Sequence, residues 1–387
     1  MRVGNTIYLD HQATTPVDSR VWDAMRPYCA ENFGNPHSAD HILGWAAAKA
    51  IESASESIAG LIGADPDEII FTSGATEANN LALLGIGRRA SGGNRRHILV
   101  GAIEHKCVLA AARALRQQSG YAVQEIPVDS GGRIDKSALD TLLGDDVLLV
   151  SIMAVNNEIG TIEDVVALSQ SIHTAGALFH CDAAQAPLAI DLTALAKSVD
   201  LLSLSGHKIY GPKGIGALYI RRDLQGSVEP LIYGGGQQRS LRSGTLPVPL
   251  CVGMGRACEL LTDDQMPETR EKLRERRDRF VAKIFSLPWE ISLNGPPLAN
   301  RHPANLNLQF SGFPAGDILS VMQPRLAAST GAACTSGIPE PSHVLRAIGL
   351  TGENAESSIR FSLGLGTTDE DLDEAVEILR DALARLS

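Results

Sequence analysis

The chain has 387 residues, 44% hydrophobic and 20% charged, with a net charge of −11. That balance is of an ordinary globule long enough for two or three domains, and its spread-out acidic excess argues against a nucleic-acid-binding surface. The longest apolar run, "VLLVSIMAV", is too short to span a bilayer, and "MRVGNTIYLD" lacks the apolar segment of a secretory signal; no membrane contact and a cytoplasmic location are expected.

Apolar, β-rich runs recur along the first two thirds of the chain. "TIYLD" (6–10) reads as a strand and "DSRVWDAMRPYCAEN" (18–32) as an amphipathic helix. Strands follow at "EIIFT" (68–72), "HILVG" (97–101) and "VLLVSIM" (147–153). The helix "DVVALSQSIHTAG" (164–176) then precedes strands "ALFHCD" (177–182), "LLSLS" (201–205) and "IGALYI" (215–220). Near-continuous apolar strands separated by helices predict an α/β fold with a mostly parallel sheet covered on both faces. Beyond residue 259 the texture changes to charged helices and shorter strands, beginning with "PETREKLRERRDRFVAKIFS" and ending in "DEDLDEAVEILRDALARLS". The expected division is a large domain over 16–258 and a smaller α+β domain from 1–15 and 259–387.

Six cysteines, at 29, 107, 181, 251, 258 and 334, form no C-x-x-C pair, and none belongs to a Cys/His cluster with zinc spacing, so free thiols and no metal are expected. Cys251 and Cys258 lie seven apart on one helical face, which suits core packing. Cys334 differs. It sits in "ASTGAACTSGIPEPS" (328–342), with no bulky apolar residue among the five before it. A buried small hydrophobe is the ordinary reading of a free cysteine; a nucleophile or sulfur carrier on a mobile loop is the other.

Three phosphate- or serine-type motifs fail. "GHKIYGPK" lacks the Lys-Ser/Thr of a phosphate loop, "GIGALY" precedes no helix, and Ser205-Gly-His-Lys208 lacks the companions of an acyl-serine site. A different set coheres. Lys208 follows a strand, where open α/β sheets hold ligands. Asp182 ends the preceding strand and needs a cationic partner there. "FTSGATEANN" is a strand, a small-residue turn and a helix start, suited to an anion at Ala75 and Thr76. Pyridoxal 5'-phosphate (PLP) needs such a set: a lysine for covalent attachment, an aspartate at the ring nitrogen and an anion site.

The ordered series "YLDHQATTP", "NPHS", "FTSGATEANN", "EHK", "NNEIG", "CDAAQ", "SGHKIYGPKGIGALY", "GGGQQRSLRSGTLP", "ACTSG", "EPSHVLRA" and "SSIRFSLG", from Tyr8 to about Gly366, resembles the PLP-dependent cysteine desulfurases of the iron–sulfur-cluster and nitrogen-fixation type. The resemblance implies the aspartate-aminotransferase-like fold (type I, class V) and a homodimer. It also implies conversion of L-cysteine to L-alanine, with the sulfur passing as a persulfide to Cys334 and then to an acceptor protein. Lys208 would hold PLP covalently, Asp182 would meet its ring nitrogen and Gln185 its ring oxygen. His105 would stack on the ring and move protons. Ala75, Thr76, Ser205 and His207 would bind the phosphate, with Thr245 from the other subunit. Asn157 and Arg360 would hold the substrate carboxylate. The alternative within this fold is a selenocysteine lyase or another class-V aminotransferase or lyase; the Cys334 loop speaks against an aminotransferase. "HQATTP" departs from the aromatic-Ser start usual in that motif. The sequence stops at Ser387 without the longer tail of some relatives, which leaves iron–sulfur clusters, tRNA thiolation and DNA phosphorothioation all open as destinations of the sulfur.

Overall fold

The computed structural model describes residues 1–331, 342–350 and 352–387; Cys334 lies outside them. In chain order the strands are β1 (Arg2–Val3), β2 (Thr6–Tyr8), β3 (Ile69–Thr72), β4 (His97–Gly101), β5 (Ala122–Ile126), β6 (Val147–Ser151), β7 (Leu178–Asp182), β8 (Leu201–Ser205) and β9 (Gly216–Ile220). The remaining four are β10 (Ile291–Leu293), β11 (Asn305–Phe310), β12 (Leu326–Ala327) and β13 (Ser358–Ser362). The helices that matter below are α1 (Ser19–Ala30), α2 (Ile42–Ile62), α3 (Ala75–Arg89), α4 (Lys106–Ser119), α5 (Lys136–Leu142), α6 (Val165–Thr174), α7 (Val248–Leu261) and α8 (Met266–Phe285).

Seven strands form one sheet in the order β3-β9-β8-β7-β6-β4-β5. Five run parallel, from β8 to β5; β9 is antiparallel to both its neighbours. The strand sequences are apolar on both faces because both faces are covered. Successive residues point to opposite sides: Leu99, Phe179, Leu202, Leu204 and Ala217 join residues of α1, α2, α5, α6 and α7 in one core. Ile98, Val100, Leu149, Leu201 and Leu218 face the other way and pack under α3 and α4. Cys251 and Cys258 are buried in the first of these cores.

A third core lies beside the sheet. Ile7 and Leu9 pack there with Leu273, Phe280, Leu306, Phe310, Ile359 and Phe361. The N-terminal segment is therefore bound to the C-terminal part of the chain, through β2 paired with β12 and through the main-chain contact of Asp10 with Ser362. Among the described residues no helix is long and apolar enough to cross a membrane.

Candidate active site

Strands β7 and β8 are parallel neighbours, so their carboxyl ends open at one edge of the sheet. Asp182 is the last residue of β7 and is buried. Its Oδ2 accepts from Asn79 Nδ2 at 2.7 Å, and its Oδ1 accepts from the Ala184 N–H at 3.0 Å. Both donors are neutral, and a buried carboxylate so held is costly until a cation meets it.

After Ser205 the chain makes one turn, Gly206–Lys208, and delivers Lys208 to the same edge. Its Nζ donates to the carbonyls of Gln12 at 2.6 Å and Ala13 at 2.8 Å. Burial, then the charge of Arg360, lowers the Lys208 pKa to about 8, against the pull of Asp10 and Asp182. An amine that sheds its proton so near neutrality is a nucleophile as well as a base.

The anion turn lies alongside. Gly74, with φ of 150°, joins β3 to α3. Its backbone lies so close to Gly216 of β9 that a Cβ at 216 would stand 2.6 Å from the Gly74 Cα. A glycine at 216 thus lets the turn press against the sheet, which is the role of one glycine in the "GIGALY" run. The first N–H groups of α3 have no helical acceptor and, with Ser73, Ser205 and His207, face a cavity of about 530 Å³. His207 Nδ1 lies 3.1 Å from Thr14 Oγ1; burial, and next Lys208, lowers its pKa to about 4, so the ring is neutral. Asp182, Gln185, His105, Cys107 and Lys208 border the same cavity.

A second cavity, of about 330 Å³, shares Ala13, His105, Asn157 and Lys208 with the first and is closed on its far side by Asp10, Glu158, Ser329, Gly331, His343 and Arg360. Arg360 stands on β13 and is buried. Its Nη2 donates to Asp10 Oδ1 at 2.6 Å and Ser329 Oγ at 3.0 Å, and its Nη1 to the Asn157 carbonyl at 2.8 Å. Its Nε is buried and, among the described residues, has no hydrogen-bond partner. The loop bearing Asn157 is fixed by Asn156, whose Oδ1 accepts from the N–H groups of Glu158 and Ile159. Ser342 donates to Glu158 Oε2 at 2.5 Å. The segment that carries Cys334 thus leaves and rejoins the described chain at Ser329–Gly331 and Ser342–His343, on and beside this cavity's wall.

The geometry gathers Ala75, Thr76, His105, Asn157, Asp182, Gln185, Ser205, His207 and Lys208 around one cavity and brings Arg360 to its neighbour. Thr245 is exposed and lies off this wall. Its loop is tied to the anion helix by the Arg242–Glu77 ion pair at 2.8 Å. Gln238 holds the loop to β3, its side-chain amide pairing with both the N–H and the carbonyl of Phe71.

Sequence reasoning missed four contributors. Asn79, four residues after Ala75 and so on the same face of α3, had a readable spacing. Gln12 acts through its carbonyl, which takes both Lys208 and the Gln185 Nε2 at 2.9 Å; a backbone group leaves no mark in a sequence. Asp10 was visible only as part of a motif. Glu104 is fully buried beneath His105, its Oε1 accepting from the Met153 N–H; burial, and then Asp182, pushes its carboxyl pKa well up.

A lysine, a carboxylate held by neutral donors, and free helix N–H groups fit the aldehyde carbon, pyridinium nitrogen and phosphate of PLP, respectively. The model of the class-V aminotransferases matches residues 7–375. The cysteine desulfurase IscS of Rickettsia prowazekii is 47% identical over 384 residues, covering 98% of this chain and 92% of its own. A solved NifS-like protein superposes with a TM-score of 0.90 at 35% identity, covering 99% of this chain and 100% of that one. A structure of SspA in complex with cysteine gives 0.79 at 35% identity, covering 92% and 98%. With most of its length matched in each comparison, the chain belongs to the PLP-dependent cysteine desulfurases of the class-V aminotransferase family.

Proposed function

We propose that this chain converts L-cysteine to L-alanine with the two adjoining cavities as its cofactor and substrate sites and with Cys334 as the sulfur acceptor. The observation that carries the assignment is the shared wall. Lys208 and His105 border both cavities, so a group held against Asp182 and the anion turn on one side meets an amino acid held by Arg360 on the other. PLP, when bound, supplies an electron sink for the carbon from which a proton is lost.

The chain's own residues do the rest. Arg360 and Asn157 bind and orient the substrate carboxylate; the Nε of Arg360, which has no hydrogen-bond partner among the described residues, suits that contact. Lys208, with its pKa near 8, removes and returns a proton at Cα. His105, whose pKa burial lowers, would stand beside the cofactor and move protons at the departing sulfur. Ala75, Thr76, Ser205 and His207 bind phosphate, Asp182 holds the ring nitrogen's proton and Gln185 sits by the ring oxygen. Cys334, as thiolate, attacks the substrate sulfur. An S–S bond forms, the Cβ–S bond breaks with its electron pair staying on carbon, and protonation of carbon yields alanine. The anchoring of both flanks of the Cys334 segment at the substrate cavity supports this role.

The protein is read as a homodimer with Thr245 completing the partner's phosphate site. Exposed large apolar side chains support it: Trp22, Phe33, Ile42, Trp45 and Tyr233 are all more than half exposed. The division at 16–258 against 1–15 and 259–387 is kept as the reading, supported by the separate core around Ile7, Phe280 and Phe361, although Leu261 and Met266 pack with the sheet and Val344 and Leu345 join Ile103 and Met153 across the boundary. An acceptor protein would take the persulfide, in the cytoplasm. The selenocysteine-lyase and aminotransferase alternatives are not favoured, since the high-identity relatives are cysteine desulfurases.

The deciding experiment is Cys334→Ser. The variant should bind PLP and change its visible spectrum on addition of L-cysteine, yet form almost no alanine and no protein persulfide. Near-normal alanine production would remove Cys334 from the mechanism.

A further inference from the structure

We propose that Cys107 is a positioning residue for His105: its thiol links the ring to Asn79 and holds it as the tautomer with the proton on Nε2. This rests on the reading above, in which His105 lies against the cofactor.

The argument runs along one chain of hydrogen bonds. Asp182 can only accept, so the Asn79 group 2.7 Å from its Oδ2 is the amide nitrogen. That nitrogen is also 3.3 Å from Cys107 Sγ, which therefore accepts from it. The thiol hydrogen is left for His105, whose Nδ1 lies 2.9 Å from the sulfur. The same Nδ1 accepts the backbone N–H of Cys107 at 3.2 Å, because His105 caps the start of α4. A ring nitrogen that accepts carries no proton, and a neutral imidazole then keeps its proton on Nε2. Among the described residues the buried Asn79 Oδ1 has no partner; the amide is turned to serve Asp182 and Cys107 at the expense of its own oxygen. Burial pushes the Cys107 thiol up to about 12, opposed by hydrogen bonds from Asn79 and Thr76, and lowers the His105 pKa. The pair is thus thiol and neutral imidazole, not thiolate and imidazolium. The charged or titratable groups acting on the ring are Asp182, Lys208, His343 and Glu158. The chain Asp182–Asn79–Cys107–His105 ties the carboxylate under one part of the cavity to the ring over another.

The test uses full-length protein labelled with 15N-histidine, with and without PLP, as wild type, Cys107→Ala and Cys107→Ser; the His105 signals are assigned by their loss in His105→Gln. In wild type the Nδ1 of His105 should resonate as an unprotonated nitrogen. In Cys107→Ala, with only the longer backbone bond left, the tautomer ratio should move about 2- to 10-fold toward Nδ1–H, the scale of one hydrogen bond. The acidic limb of the pH–rate profile should rise by about 0.3 to 1 pH unit, since the neutral ring loses a donor. The serine hydroxyl should restore both. An unchanged ratio and limb in Cys107→Ala overturns the proposal, as does failure of Cys107→Ser to restore them while PLP binds normally. Undiminished turnover in His105→Gln would instead overturn the role given to His105, so the two failures are told apart.

Discussion

The cavity at Asp182 and the anion turn and the cavity at Arg360 share a wall but are built differently. The first is made at one sheet edge, by the ends of β7 and β8 and by the start of α3, all packed in the two large cores. Its polar groups are met by neutral partners: Asn79 and Ala184 for Asp182, two carbonyls for Lys208. The second is assembled around Arg360, which meets Asp10, Asn157 and Ser329 from three other, distant stretches, and this cation already holds a carboxylate, that of Asp10. A cofactor that stays needs a rigid, preformed cradle. A substrate that comes and goes needs a cation whose grip can be exchanged, and a cation shared with a resident carboxylate supplies that.

The contrast is open to attack, most heavily at the wall itself. Lys208→Ala should abolish desulfuration, by about 10²- to 10⁴-fold or more, because a positioned proton-transfer group is lost together with the covalent anchor. Borohydride reduction and peptide mapping of wild type should place the label on Lys208; a label on Lys106 or Lys213 would dismantle the assignment of both cavities. On the substrate side, Arg360→Ala should raise the Kd for L-cysteine about 10- to 150-fold, the worth of hydrogen bonds to a charged group, while PLP stays bound. Equal loss of PLP would show that the two cavities are not separately built. On the cofactor side, Gly216→Ala should cost about 1–3 kcal/mol of stability, as an added methyl does in a packed place, because it must push back the Gly74 backbone. Thermal unfolding should register that loss and PLP should dissociate more readily; an unchanged Tm would mean the turn is looser than its packing implies.

The same contrast explains what the sequence disclosed. Strands β4 and β8 run over the expected 97–101 and 201–205 because doubly covered strands are apolar throughout. β5 went unread because, at the open edge of the sheet, it buries only Ile126 fully and carries no apolar run. The reversed direction of β9 also left no mark, since strand polarity depends on the connection, not on composition. Asp182 and Lys208 were legible from their places at strand ends. Ile152 and Met153, expected in the strand, lie past the end of β6 at Ser151 while staying buried, so their apolar character alone prolonged the reading. Asp10 and the carbonyls of Gln12 and Ala13 were out of reach because their meaning lies in contacts with residues 195 to 350 positions away. Cys334, outside the described residues, is proposed from its sequence neighbourhood alone.

The smallest expected effect is the sharpest test of the exchangeable grip. Asp10 holds the Nη2 of Arg360, and an incoming carboxylate competes for the same guanidinium. Asp10→Asn keeps the shape and removes the charge. If Asp10 is a competitor, L-cysteine should bind at least about 1.4- to 5-fold more tightly, the ~0.2–1 kcal/mol of an exposed ion pair being a floor for this largely buried one. If Asp10 instead serves to orient the arginine, binding should weaken, so the sign alone decides. A second readout comes from the lysine. Asp10 raises the Lys208 pKa and Arg360 lowers it; without the aspartate charge the arginine acts unopposed on that side, and the midpoint should fall below its value of about 8. The rate of PLP incorporation into stripped protein, which follows the neutral amine, should then reach its plateau at lower pH in the variant than in wild type. Tighter substrate binding with an unmoved plateau would confine the effect to Arg360; weaker binding with a lowered plateau would leave the electrostatics intact and refute the competition.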